Sequence, residues 1–225
     1  AHNRSSLKAS VQLGIDELLR GGTTTILDMG TKNHTDVIFD ELISSGIRAF
    51  AGKCMIDEND LYPVFKGNLK DELAETYNLA KQYHGSAGGR VNYGFAPRFV
   101  LSCSEGLFKE IPGMMKDFPG SVLHTHSSEN KKEVEIVRSK TGMENIEYFE
   151  SLGLFSGQTV LAHCIHVNHH EMNIMKENAV CVSHCPSSNL KLASGTANIP
   201  AYISNGITVS LGADGAPCNN RLSVF

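Results

Sequence analysis

Seven short apolar, β-branched runs recur along the chain, each separated from the next by a longer amphipathic stretch, and this alternation leaves few folds open. The runs are Thr23–Met29, Ile47–Met55, Val91–Phe99, Ser121–His126, Thr159–Ile165, Val180–Pro186 and Ile207–Gly212. Strands that alternate with helices form βα units around a parallel sheet. Most runs are entered through a glycine turn (Gly21-Gly22, Gly46, Gly88-Gly89, Gly157, Gly206), where glycine supplies the left-handed residue that closes a helix. Ser6–Arg20 spaces Leu7, Val11, Ile15, Leu18 and Leu19 at helical intervals, and Lys132–Leu152 and His169–Glu177 read as helices too. Seven units are one short of a (β/α)8 barrel; the chain opens on a helix pattern and stops just after the last run. The expectation is an α/β TIM barrel, a single partial domain over residues 1–225, missing strand one and the last helix and excerpted from a longer protein.

Composition narrows the function. A 41% hydrophobic, 20% charged chain of 225 residues buries a core rather than staying disordered. A net charge of −4 with scattered Lys and Arg offers no surface for tracking phosphates, so nucleic acid is not expected as a partner. No apolar run reaches the roughly 20 residues that cross a bilayer, and the first six residues carry no secretory core, so no membrane association is expected and the cytoplasm is the expected compartment. Cysteines at 54, 103, 164, 181, 185 and 218 lack a disulfide-framework spacing and read as reduced thiols.

Four of the runs end in ionisable residues: His124-Thr125-His126-Ser127-Ser128-Glu129, His163-Cys164-Ile165-His166, His184-Cys185-Pro186 and Gly212-Ala213-Asp214-Gly215. Barrel active sites lie at the C-terminal ends of strands, so these residues should share one mouth. Imidazoles and carboxylates gathered there suit zinc or a similar divalent ion and a metal-assisted hydrolysis. Each residue also has an ordinary explanation. Asp214-Gly215 is a common turn dipeptide, Glu129 fits the first turn of a following helix, and Cys164 and Cys185 fit small buried thiols better than nucleophiles.

The strings around Glu129, His163 and Asp214, together with Ser183–Gly195, resemble the amidohydrolase superfamily, in the aminohydrolase branch that holds S-adenosylhomocysteine, 5′-deoxyadenosine and guanine deaminases and the triazine hydrolases. The resemblance extends from about Leu7 to Phe225. It implies a metal held by a His-x-His pair on strand one, absent from this chain, by a strand-five histidine matching His126 and by a strand-eight aspartate matching Asp214. His126 is preferred to His124 because it stands three residues before the matching catalytic glutamate, Glu129; His124 would then point into the barrel wall. His163 matches the strand-six catalytic histidine. Arg98 and Phe99, in Pro97-Arg98-Phe99, resemble the substrate-binding segment of guanine-deaminase-like members, and His184 joins them, whereas Asp214–Asn220 is closer to the triazine and deoxyadenosine branch. The implied reaction is hydrolytic deamination of a purine, pterin or triazine with one divalent metal, zinc or else iron. A chlorohydrolase or cyclic amidase on the same metal, or a metal-free barrel serving as a binding module, are the alternatives. Relatives that are often dimers or larger make a homo-oligomer compatible.

Overall fold

A computed structural model describes residues 2–59 and 62–224. The elements run α1 (Arg4–Arg20), β1 (Thr25–Asp28), α2 (Thr35–Ser45), β2 (Arg48–Ala51), β3 (Cys54–Met55), α3 (Leu69–Tyr83), a helical turn α4 (Ser86–Gly89), β4 (Val91–Pro97), α5 (Glu105–Lys116), β5 (Val122–Ser127), α6 (Lys131–Thr141), α7 (Asn145–Ser151), β6 (Gln158–His163), α8 (His169–Glu177), β7 (Cys181–His184), α9 (Pro186–Lys191), α10 (Ile199–Ser204) and β8 (Val209–Leu211). Every strand pairing between neighbours is parallel, in the order β1-β2-β4-β5-β6-β7-β8, with β3 beside β4. This is the curled parallel sheet of a partial TIM barrel. Its last described residues return to α1, where the Leu222 N–H donates to Glu17 Oε1 at 2.9 Å.

The helices form because their apolar positions repeat on one face and their ends are capped. In α1 the Asn3 side chain accepts from the Ser6 N–H while Ser6 bonds back to Asn3, and Leu7 and Ile15 turn inward. The core lies between sheet and helices: Phe39 of α2 stacks on Tyr83 of α3 with ring centroids 4.4 Å apart and on Tyr93 of β4 at 5.8 Å.

Two sequence readings need correction. Ile47–Met55 is two strands, because Gly52 lies so close to β4 that a Cβ there would sit 1.7 Å from the Gly94 carbonyl oxygen. Beyond that break Lys53 is buried, with Nζ held by the Lys32 carbonyl and by Glu75 at 3.0 Å. Lys132–Leu152 is likewise two helices, parted at Gly142, whose φ of 74° closes α6.

Register positions the site. His126 lies opposite Ala162 and Ser127 opposite His163, while Ala162 faces Ser183 and His184 faces Leu211. The C-terminal ends of β5, β6, β7 and β8 therefore finish at one level.

Candidate active site

The period of two along β5 sends His124 and His126 to the same face, with stacked rings 6.5 Å apart. His126 is the more accessible of the pair, and His124 is buried with its Nδ1 unpartnered. The His126 Nδ1–H donates to the Arg98 carbonyl at 2.8 Å, so Nε2 is the free nitrogen. Burial, reinforced by His163, His124 and Arg98, pushes the His126 imidazole down to about 3, and burial with His163 takes His124 to about 4. Both rings are neutral at physiological pH.

His163 is the hub. Its ring stacks on His126 at 5.3 Å, and its Nε2 lies 3.9 Å from Glu129 Oε2 and 4.0 Å from Asp214 Oδ2. Asn189 Oδ1 accepts from His163 Nδ1 at 2.9 Å, which leaves Nε2 as the basic nitrogen. Asp214 Oδ2 accepts from Ser188 Oγ at 2.5 Å, and Oδ1 from the Gly215 N–H at 2.6 Å. Burial works to raise the Asp214 carboxyl, but the bonds from Ser188 and the Gly215 N–H, with the neighbouring His163 and His126 imidazoles, outweigh it and hold the group below its ordinary value. Ser194 Oγ donates to Glu129 Oε1 at 3.4 Å. Burial also lowers His184, whose Nδ1 is buried without a partner.

Several of these side chains stand on left-handed backbone: Ser128 (φ 52°), His163 (φ 70°), Cys164 (φ 46°) and Asp214 (φ 62°). Non-glycine residues rarely adopt it, and clusters of such residues mark functional sites. The fold thus brings His126, Glu129, His163 and Asp214 together, with His184 beside them. Arg98 is placed differently: its carbonyl touches His126, but its guanidinium is exposed, 4.8 Å over the half-exposed Phe99 ring. Cys164 and Cys185 are buried thiols raised by that burial, Cys185 to about 12.

Asn189, Ser188 and Ser194 were given no role by sequence reasoning. They lie within the Ser183–Gly195 string, but nothing local to that string shows which atoms they touch across the barrel. Among the described residues no three His, Cys, Asp or Glu side chains are arranged to hold a metal. His126 Nε2, neutral and free, and the ionised Asp214 fit a divalent ion in kind, yet they are two donors where a catalytic site uses three or more.

A curled parallel βα sheet with a His, Glu, His and Asp at its strand ends has the frame of a (β/α)-barrel whose ionisable residues gather at the mouth where such barrels place their active sites. The chain belongs to the amidohydrolase family, whose sequence model matches residues 3–225. It is 35% identical over 213 residues to a 5-methylthioadenosine/S-adenosylhomocysteine deaminase of Desulfitobacterium hafniense, covering 95% of this chain and 47% of that protein. It is 36% identical over 217 residues to a 5′-deoxyadenosine deaminase of Methanothermobacter thermautotrophicus, covering 96% and 49%. Among solved structures, guanine deaminase from C. acetobutylicum with bound guanine superposes with a TM-score of 0.91 at 32% identity, over 99% of this chain and 53% of that one. An adenosine deaminase from Xanthomonas campestris with bound zinc superposes with a TM-score of 0.88 at 26% identity, over 99% and 49%. The chain spans about half the length of the relatives it matches.

Proposed function

We propose that the protein carrying this chain hydrolytically deaminates a purine or similar amino-substituted heterocycle. The observation that carries the reading is the convergence of two carboxylates, Glu129 and Asp214, on His163 Nε2 at 3.9 and 4.0 Å. Two carboxylates and a basic imidazole in one strand-end mouth supply a proton acceptor, a proton donor and an orienting group. The names of the relatives above, deaminases of adenosine-type nucleosides and of guanine, support the same class.

His126 Nε2 and Asp214 are the residues of this chain that would hold a divalent metal, zinc or alternatively iron. When bound, it supplies water with a pKa of roughly 7. Asp214, held ionised by Ser188 and the Gly215 N–H, accepts the proton of the attacking water and passes it to the departing amine, which leaves as ammonia. Glu129, steadied by Ser194, protonates the ring nitrogen beside the attacked carbon and then, as the carboxylate, takes back the proton of the new hydroxyl as the carbonyl forms and the amine leaves. His163 Nε2 orients the water, with Asn189 fixing the tautomer that leaves this nitrogen basic. In this reading Arg98 would donate to a ring carbonyl and Phe99 would offer an aromatic face for the base, with His184, beside His163, as a further contact.

The test is ammonia release by metal-loaded protein across guanine, 5′-deoxyadenosine, methylthioadenosine, S-adenosylhomocysteine, a pterin and an aminotriazine. One substrate class is expected to react, and Glu129→Gln to slow it by ~10²–10⁴, the range of general acid–base catalysis. Silence across the panel from protein with bound zinc would move the assignment to a chlorohydrolase or cyclic amidase.

A further inference from the structure

Glu133 makes an unusual use of its position in a helix. It is the third residue of α6, whose N-cap is Asn130, and the Asn130 side chain accepts from the Glu133 N–H at 2.9 Å. A glutamate at this position ordinarily completes a capping box by accepting the N–H of the N-cap residue. Two other helices of this chain do so: Glu147 accepts from Glu144 N–H at 2.8 Å and Glu171 from Asn168 N–H at 3.0 Å. The Glu133 carboxylate instead reaches past its N-cap. Oε2 accepts the Glu129 N–H at 2.9 Å and Oε1 the Ser128 N–H at 3.2 Å, and Asn145 Nδ2 donates to Oε1 at 2.6 Å. Glu133 is 4% exposed and Asn145 is fully buried, so this clamp is shielded from competing water. It grips the turn where the chain leaves β5, at the left-handed Ser128, one residue before the Glu129 carboxylate.

We propose that Glu133 is a positioning residue for Glu129, fixing the backbone from which the proton donor is presented, with Asn145 bracing it. The inference builds on the assignment of Glu129 as the acid. Misplacing a catalytic group by about 1 Å costs on the order of 10²-fold, and loss of a supporting hydrogen-bond partner typically 10–100-fold.

The deciding experiment is a double-mutant cycle on the metal-loaded full-length protein, using the substrate found in the panel. Glu129→Gln alone tests the acid assignment: kcat close to that of the parent would end that reading and this inference with it. With that loss established, Glu133→Ala is expected to lower kcat ~10–100-fold in the parent background and less than about 2-fold in the Glu129→Gln background, with KM little changed. Glu133→Gln is expected to fall between parent and Ala. It keeps one oxygen for the Glu129 N–H, and the buried, unpartnered Asn145 Oδ1 can turn to meet its amide. Equal losses in both backgrounds, or a loss in KM alone, would show that Glu133 serves only the fold and overturn the proposal while the acid assignment stands.

Discussion

Glu171, at the third position of α8, accepts the N–H groups of Asn168 at 3.0 Å and Ile146 at 3.1 Å and is 1% exposed. Burial raises its carboxyl to about 7 from the ordinary 4.5, against the pull of those two bonds. Between these two values the folded state holds a proton that the unfolded chain has released, so stability from this group falls as pH rises from about 4.5 to about 7. Glu171→Gln removes the titration. The parent's advantage over this variant in melting temperature should accordingly be larger at pH 5 than at pH 7.5; an advantage independent of pH would show that Glu171 ionises normally. A contrast in legibility appears at this scale. His126, Glu129, His163 and Asp214 stood out in the sequence because several apolar runs close on ionisable residues at once, a joint pattern that the ordinary explanation of each one does not cover, and because the strings around them resemble the amidohydrolases. Glu133 and Asn189 did not, because a carboxylate on a helix or an amide after a strand takes its meaning from atoms that only the fold brings near.

Gly52 shows what holds two elements at their spacing. The Cβ of an alanine there would lie 1.7 Å from the Gly94 carbonyl oxygen, a backbone atom with no freedom to turn aside. Gly52→Ala must push β2 off β4 and disturb the pairing of Ala49 with Val91 and Ala51 with Tyr93. The expected cost is ~3 kcal/mol or more, read as a lower melting temperature of the full-length protein. Gly113→Ala, inside α5 with no atom near its added methyl, is the control and should match or slightly exceed the parent. Equal melting temperatures for the two variants would mean that β2 and β4 do not approach so closely. The strands themselves were legible, since β-branched and aromatic runs between glycine turns form strands whatever lies beyond them. Their interruptions were not: Gly52-Lys53 continues an apolar run in sequence, and only the approach of Gly94 and the buried partners of Lys53 reveal the break. The split at Gly142 is similar, because the apolar spacing resumes beyond it as though one helix continued.

At the scale of the molecule, the described residues form seven strands in a row, and among them β1 and β8 each pair on one side only. Unpaired strand edges present free N–H and C=O groups to any other chain. Exposed apolar side chains add to this: Leu211 of β8 is 54% exposed, Ile203 of α10 64% and Leu13 of α1 70%. A polypeptide of residues 1–225 expressed alone should therefore self-associate, with light scattering that rises with concentration and no sharp monomeric melt. Leu211→Lys places a charge on the β8 edge, where it obstructs edge-to-edge pairing, and should reduce that association while leaving far-ultraviolet dichroism unchanged. Association undiminished by the lysine would locate the contact elsewhere, on α1 or on β1. A monomer with a sharp cooperative transition would mean that the two edges protect one another across the curl. The return of Leu222 to α1 would then be a true closure of the sheet.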